Sequence, residues 1–161
     1  MTQTISLNLS TSAIMNEILA LSALRCLTNG EESRPPILTR DRAPALKLLI
    51  RDAFAFVVMK FISYVEKCDL NDSSTSHSDS NDDDLLSVDL KVNNDVTSTI
   101  TKTMSATLNH SIAAYALHIC YMGHDNTTSE QYLRIANAEV ATLQQLLSTT
   151  SFHSVKISPC Y

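Results

Sequence analysis

Residues 96–122, VTSTITKTMSATLNHSIAAYALHICYM, decide how this chain folds. Val96, Ile100, Met104, Leu108, Ile112, Tyr115, Ile119 and Met122 recur every three or four residues, the spacing that puts side chains on one face of an α-helix. Asn93, Asn94 or Asp95 supplies a cap before this stripe, and Gly123 supplies a stop after it. The first half is crowded with Thr and Ser, which weaken helix propensity, so tertiary packing has to hold it. The second half, Ile112 to Met122, is apolar almost all round and has to be covered from several directions.

Working towards the C-terminus, Thr127 to Glu130 fits a Thr-x-x-Glu capping box. The helix it opens carries Tyr132, Ala136, Val140, Leu143 and Leu147 on one stripe, and Glu130 stands one turn before Arg134. Beyond Ser148 the helical period is lost, and residues 151–161, with Phe152, Val155, Ile157 and Tyr161, read as an extended arm ordered by a partner. Working towards the N-terminus, Leu86, Val88, Leu90 and Val92 alternate with polar residues as in a strand with one covered face. Ile5, Leu7 and Leu9 repeat that pattern within residues 1–10, a strand or an arm. Two strands alone form a marginal sheet. They pair within the chain, or each adds to a strand of another molecule.

Ser10, Thr11 or Ser12 can cap a further helix, with Ile14, Ile18 and Leu21 on one face, running to about Leu27 and stopped by Asn29-Gly30. Pro35-Pro36 makes the next stretch an extended connector. A helix then starts at Thr39 or Asp41, and its stripe runs through Leu46, Ile50, Ala53, Val57, Phe61, Tyr64 and Cys68. Leu49, Phe54, Phe56, Met59 and Ile62 fill its other sides, so its cover comes from this chain's core or from a neighbouring subunit. The apolar run Ala53 to Val65 contains Lys60 and falls short of the ~20 residues that span a bilayer. Residues 69–84 are acidic and Ser-rich, with nothing to bury, and read as a flexible loop. Asp79, Asn81 and Asp83 mimic the start of an EF-hand, but Asp84 replaces its glycine and Leu90 its last carboxylate, so no calcium site is expected.

The 161 residues suit one domain, and 44% hydrophobic content is enough for a core. With 2 Gly and 4 Pro, the chain lacks the punctuation that many short hairpins need. Net charge is −5, yet six Asp lie between Asp69 and Asp84, so outside that loop 12 basic residues face 11 acidic ones. No basic stripe points to nucleic acid. Cys26, Cys68, Cys120 and Cys160 are scattered, without ligand or Cys-x-x-Cys spacing, and read as thiols in a reducing compartment, with a single disulfide as the alternative. The N-terminal stretch lacks a basic n-region, so no signal peptide is expected. His110 and His118 have no acidic partner at helical spacing, and the only glycines, Gly30 and Gly123, cannot build a phosphate loop. The expectation is a protein that is not an enzyme, holds no cofactor or metal, and acts by packing against other chains.

The expected fold is mainly α: a four-helix bundle-like domain with two short strand-like segments and extended terminal arms. One arrangement within it resembles a known group: the extended piece Leu86–Val92, the helix Asn93–Met122 with Ala113-Ala114-Tyr115 and Tyr121-Met122, then the helix Ser129–Leu147 leading into an irregular tail. It is similar to the small helical virion proteins of tailed bacteriophages, especially the head-to-tail connector, ring or neck proteins of crAss-like phages, over roughly Leu85 to Ser154. The resemblance implies a virion subunit assembled in the host cytoplasm. Copies of itself would form a ring around the portal, touching portal and other neck or tail proteins but no membrane. Ile5, Leu7 and Leu9, Leu86, Val88 and Leu90, and Phe152, Val155, Ile157 and Tyr161 would then be the interface residues. Two other readings are a homodimeric helical adaptor or regulator, and a helical enzyme or carrier with a pocket near Tyr64, Tyr115 and Tyr121.

Overall fold

The computed structural model describes residues 3–30, 34–70, 85–92 and 96–151. The order of elements is β1 (Gln3–Ser10), α1 (Thr11–Asn29), α2 (Ala43–Met59), β2 (Val65–Leu70), β3 (Leu85–Val92), α3 (Ser98–Tyr121) and α4 (Asn126–Ser151). The fold is mainly helical, with four long helices and a small antiparallel sheet ordered β1-β3-β2.

α3 is the hub. It packs against α4, α1, α2 and β1. Every residue from Ser111 to Leu117 except the partly buried Tyr115 is buried, the all-round cover that the apolar second half demands. That cover comes from within the chain: Ile14 and Ile18 of α1, Ile50, Phe54 and Val57 of α2, and Leu143 and Leu147 of α4 join one core.

The two strand-like segments find each other. β1 and β3 pair antiparallel from Gln3 opposite Val92 to Ser10 opposite Leu85. Ile5, Leu7, Leu9, Leu86, Val88, Leu90 and Val92 all point to the helices and are buried, while Thr4, Ser6, Asn8 and Lys91 stay on the exposed outer face. There Glu66 of β2 accepts a 2.6 Å hydrogen bond from Thr4 and lies 3.5 Å from Lys91. At Ser10 the chain turns directly from strand to helix, and the Ser10 hydroxyl accepts from the Ala13 amide at 3.1 Å as the N-cap of α1.

Five boundaries differ from the sequence reading. The second helix stops at Met59 and does not reach Cys68, because Lys60, Phe61 and Tyr64 bond three residues back, through tight turns, and lead into β2. Val65 to Leu70 then covers the free edge of β3, so the sheet has three strands and not two, and Asp69 and Leu70 belong to a strand and not to the acidic loop. The cap of α3 is Thr97, whose hydroxyl accepts from the Ile100 amide at 3.4 Å, in place of Asn93, Asn94 or Asp95. α4 is capped by Asp125, which accepts from the Thr128 amide at 3.1 Å and from the Thr128 hydroxyl, in place of the box at Thr127–Glu130. α4 also continues to Ser151, so the arm read from residue 151 begins no earlier than 152. Residues 71–84 and 152–161 lie outside the described residues.

Candidate functional site

The residues assigned to an interface separate into two groups. Ile5, Leu7, Leu9, Leu86, Val88 and Leu90 are at most 7% exposed and lie in the chain's own core, so the strands do not serve as arms. Phe152, Val155, Ile157 and Tyr161 lie outside the described residues.

Uncovered apolar surface is found instead along α2. Leu48, Ala55, Phe56 and Met59 share one face of that helix, and the following turn adds Ile62. Leu48, Met59 and Ile62 are 62%, 69% and 61% exposed. Phe56 lies in the stripe with one ring face stacked on Tyr115 of α3, centroids 4.1 Å apart and planes 9° from parallel. The Lys60 ammonium sits 4.6 Å from the Phe56 ring centroid. Partial burial pushes the Tyr115 phenol above its usual value. The stripe is therefore built on a firm base, with the opposite side of α2 locked into the core by Leu46, Ile50, Phe54 and Val57. Sequence reasoning saw that α2 is apolar on most sides, but the pattern does not say which side the chain's own core reaches.

A polar seam fastens α1 and α4 to α3. His110 Nδ1 lies 2.5 Å from Glu17 Oε1 of α1, and His110 Nε2 lies 4.0 Å from Glu139 Oε1 of α4. Arg25 of α1 donates to Gln131 at 3.2 Å and lies 3.7 Å from the capping Asp125. The Thr128 hydroxyl, the Thr128 amide and Arg25 hold the Asp125 carboxyl below the ordinary carboxylate range. The acidic partners of His110 come from other helices, which spacing along one helix does not reveal. Ser129 Oγ lies 2.8 Å from His118 Nδ1 and donates to the His118 carbonyl, also at 2.8 Å. Ser129 is 3% exposed, and its contacts with His118 tie α4 to α3.

The tyrosines of the carrier reading do not converge. Tyr121 is fully buried and stacks on Tyr132, centroids 5.8 Å apart, whereas Tyr115 stacks on Phe56. A half-open groove of about 630 Å³ lies elsewhere, between α1 and the connector into α2, lined mainly by Met15, Leu19, Leu38, Ala43 and Leu46 with Asn16, Arg34 and Thr39. Among the described residues no group of three His, Cys, Asp or Glu side chains is placed to hold a metal ion, and no helix is long and apolar enough to cross a membrane. Cys26 and Cys120 are buried and Cys68 is exposed, with no disulfide among the three. Burial pushes the Cys120 thiol up to about 12, and burial together with Asp69 raises Cys68.

No protein-family model matches the chain, and neither the curated proteins nor the solved structures give a significant match.

Proposed function

We propose that this chain is a non-catalytic assembly subunit, a head-to-tail connector or ring protein of a tailed-phage virion that packs against copies of itself around the portal. The observation that carries the reading is the α2 stripe, an apolar row on a rigid helix that the described fold leaves in water. Full burial of a Leu, Ile, Met or Phe side chain contributes roughly 1.5–3 kcal/mol, and scaling by the exposed fractions of Leu48, Phe56, Met59 and Ile62 gives roughly 3–7 kcal/mol for covering the row. Association costs about 4–15 kcal/mol in lost freedom. The stripe alone does not hold a pair together, so its occupant has to bring apolar surface of its own, as another subunit of an assembly does. The element pattern from Leu86 to Leu147, similar to phage neck proteins, supports placing that assembly at the head-to-tail junction. With the strands paired inside the chain, the α2 stripe is the surface this reading assigns to neighbours.

Two measurements test this. Size-exclusion chromatography with light scattering on the purified chain is expected to give masses above one copy, rising with concentration. Peptide mass spectrometry and electron cryo-microscopy of the purified particle are expected to find the chain in a ring on the portal axis, and its absence from the particle refutes the reading. A compact pair that grows no further favours the homodimeric adaptor, which the same apolar face also fits.

A further inference from the structure

Residues 152–161, FHSVKISPCY, follow directly on Ser151 at the end of α4, and the position of that helix fixes where they leave the fold. α3 and α4 are antiparallel, with His110 beside Glu139 and, further along α3, His118 beside Ser129. α2 runs alongside with Phe56 against Tyr115, and further along Gln144 Nε2 donates to the Lys60 carbonyl at 2.7 Å. α2 and α4 therefore point the same way. At 1.5 Å per residue, Ser151 stands about 10 Å past the level of Lys60, beyond the end of α2. α4 ends at Ser151 pointing away from Leu48, the far end of the stripe. Covering the chain's own stripe requires a reversal after Ser151, whereas a copy placed ahead presents its stripe in the direction in which α4 points.

The segment fits that seat in length, apolarity and charge. From Leu48 to Met59 the stripe spans about 17 Å of helix. Ten extended residues reach about 33 Å. Phe152, Val155 and Ile157 are the apolar groups the stripe calls for, and the segment carries Lys156 and His153 without an acidic residue. The exposed Asp52 stands in the middle of the stripe, and the Lys60 ammonium over Phe56 stands towards its C-terminal end. We propose that the α2 stripe of one copy is the seat for residues 152–161 of a neighbouring copy, a head-to-tail contact in which each subunit gives one segment and receives one. This rests on the assembly reading above and names its two surfaces. Because giver and receiver are different faces, the contact is heterologous and propagates into a ring when the rotation closes.

The test is a mixing experiment with the full chain and two substitutions, Met59→Glu in the stripe and Ile157→Glu in the segment, read by light scattering after size exclusion. Circular dichroism checks that each variant keeps its helix content, and Leu48→Ser provides a second stripe variant should Met59→Glu fail to fold. Each variant alone is expected to associate at least about tenfold more weakly than the unaltered chain. Mixed one to one, they are expected to form a complex of two copies and nothing larger, because the segment of the Met59→Glu chain still fits the stripe of the Ile157→Glu chain. A mixture that stays monomeric while the unaltered chain assembles overturns the proposal, because the one intact segment and the one intact stripe then fail to meet. Either variant assembling like the unaltered chain overturns it too, and leaves the assembly reading standing. An unaltered chain that is monomeric throughout overturns both.

Discussion

Replacing Leu7 by Ala tests whether β1 belongs to the core or to an arm. Leu7 is 1% exposed, faces the helices opposite Val88, and has Ile5 and Leu9 beside it on the same side of the strand. Removing most of a side chain so enclosed loses its transfer energy and leaves a void, and buried Leu to Ala changes cost about 2–5 kcal/mol. Taking ~3 kcal/mol against the 5–15 kcal/mol usual for a whole domain, the substitution removes a large share of the stability. With a urea dependence of ~2 kcal/mol per molar, the midpoint of unfolding, followed by circular dichroism at fixed protein concentration, is expected to fall by about 1.5 M. Ser6→Ala is the control, since Ser6 is on the same strand but on the exposed face opposite Asp89, and it is expected to shift the midpoint by less than ~0.3 M. If Leu7→Ala moves the midpoint no more than Ser6→Ala does, the strand is not packed as described.

Asp125→Ala removes the cap of α4 and is expected to cost ~1 kcal/mol at neutral pH in a chemical melt. Because the folded chain holds the Asp125 carboxyl below its unfolded value, that contribution is whole above about pH 4 and is lost as pH falls through the lowered value, so the gap between the two proteins should close on acidification. His110→Ala is expected to cost ~1 kcal/mol, because the seam it anchors is half exposed. A double-mutant cycle with Glu17→Gln should return a coupling of ~0.5 kcal/mol or more, and additivity of the two changes would show the contact to be inert. In a Cys160→Ser background, iodoacetamide at pH 8 should label exposed Cys68 in the native protein and reach Cys120, its thiol pushed up to about 12, only on unfolding. Native labelling of Cys120 at the rate of Cys68 would contradict its burial.

The helices were legible where a stripe of one period ran long, as in α3 and α4, since burial against a single core imposes that period directly. β2 was hidden for a physical reason. Phe61, Tyr64 and Cys68 continue the spacing of α2, and no Gly or Pro separates them, so the helical pattern persists on paper past the point where the open edge of β3 captures the backbone. The caps were shifted by two to four residues because nearby side chains are chemically interchangeable. Thr97 competes with Asn93, Asn94 and Asp95, and Asp125 with Thr127, and only the geometry of the first turn chooses between them. Of the candidate surface, the apolarity of Phe56, Met59 and Ile62 was visible and their exposure was not. Periodicity reports that a side chain wants cover, while which body provides it is a property of the whole fold. The seam at Glu17, His110 and Glu139 joins His110 to residues 93 and 29 positions away in sequence and left no local trace.

The placing of β3 at the centre of the sheet also sets an order of events at the ribosome. β1 emerges early, but its partner residues, Leu85 to Val92, lie 75 to 89 positions downstream. At about 5–20 residues per second, the nascent chain carries Gln3–Ser10 as an unmatched, half-greasy ribbon for roughly 4–18 s, longer still while the exit tunnel holds the partner. The centre strand then arrives last and closes both sides at once. Slowing translation ahead of Leu85 lengthens the interval in which that ribbon is open to chaperones and to the same ribbon on adjacent ribosomes.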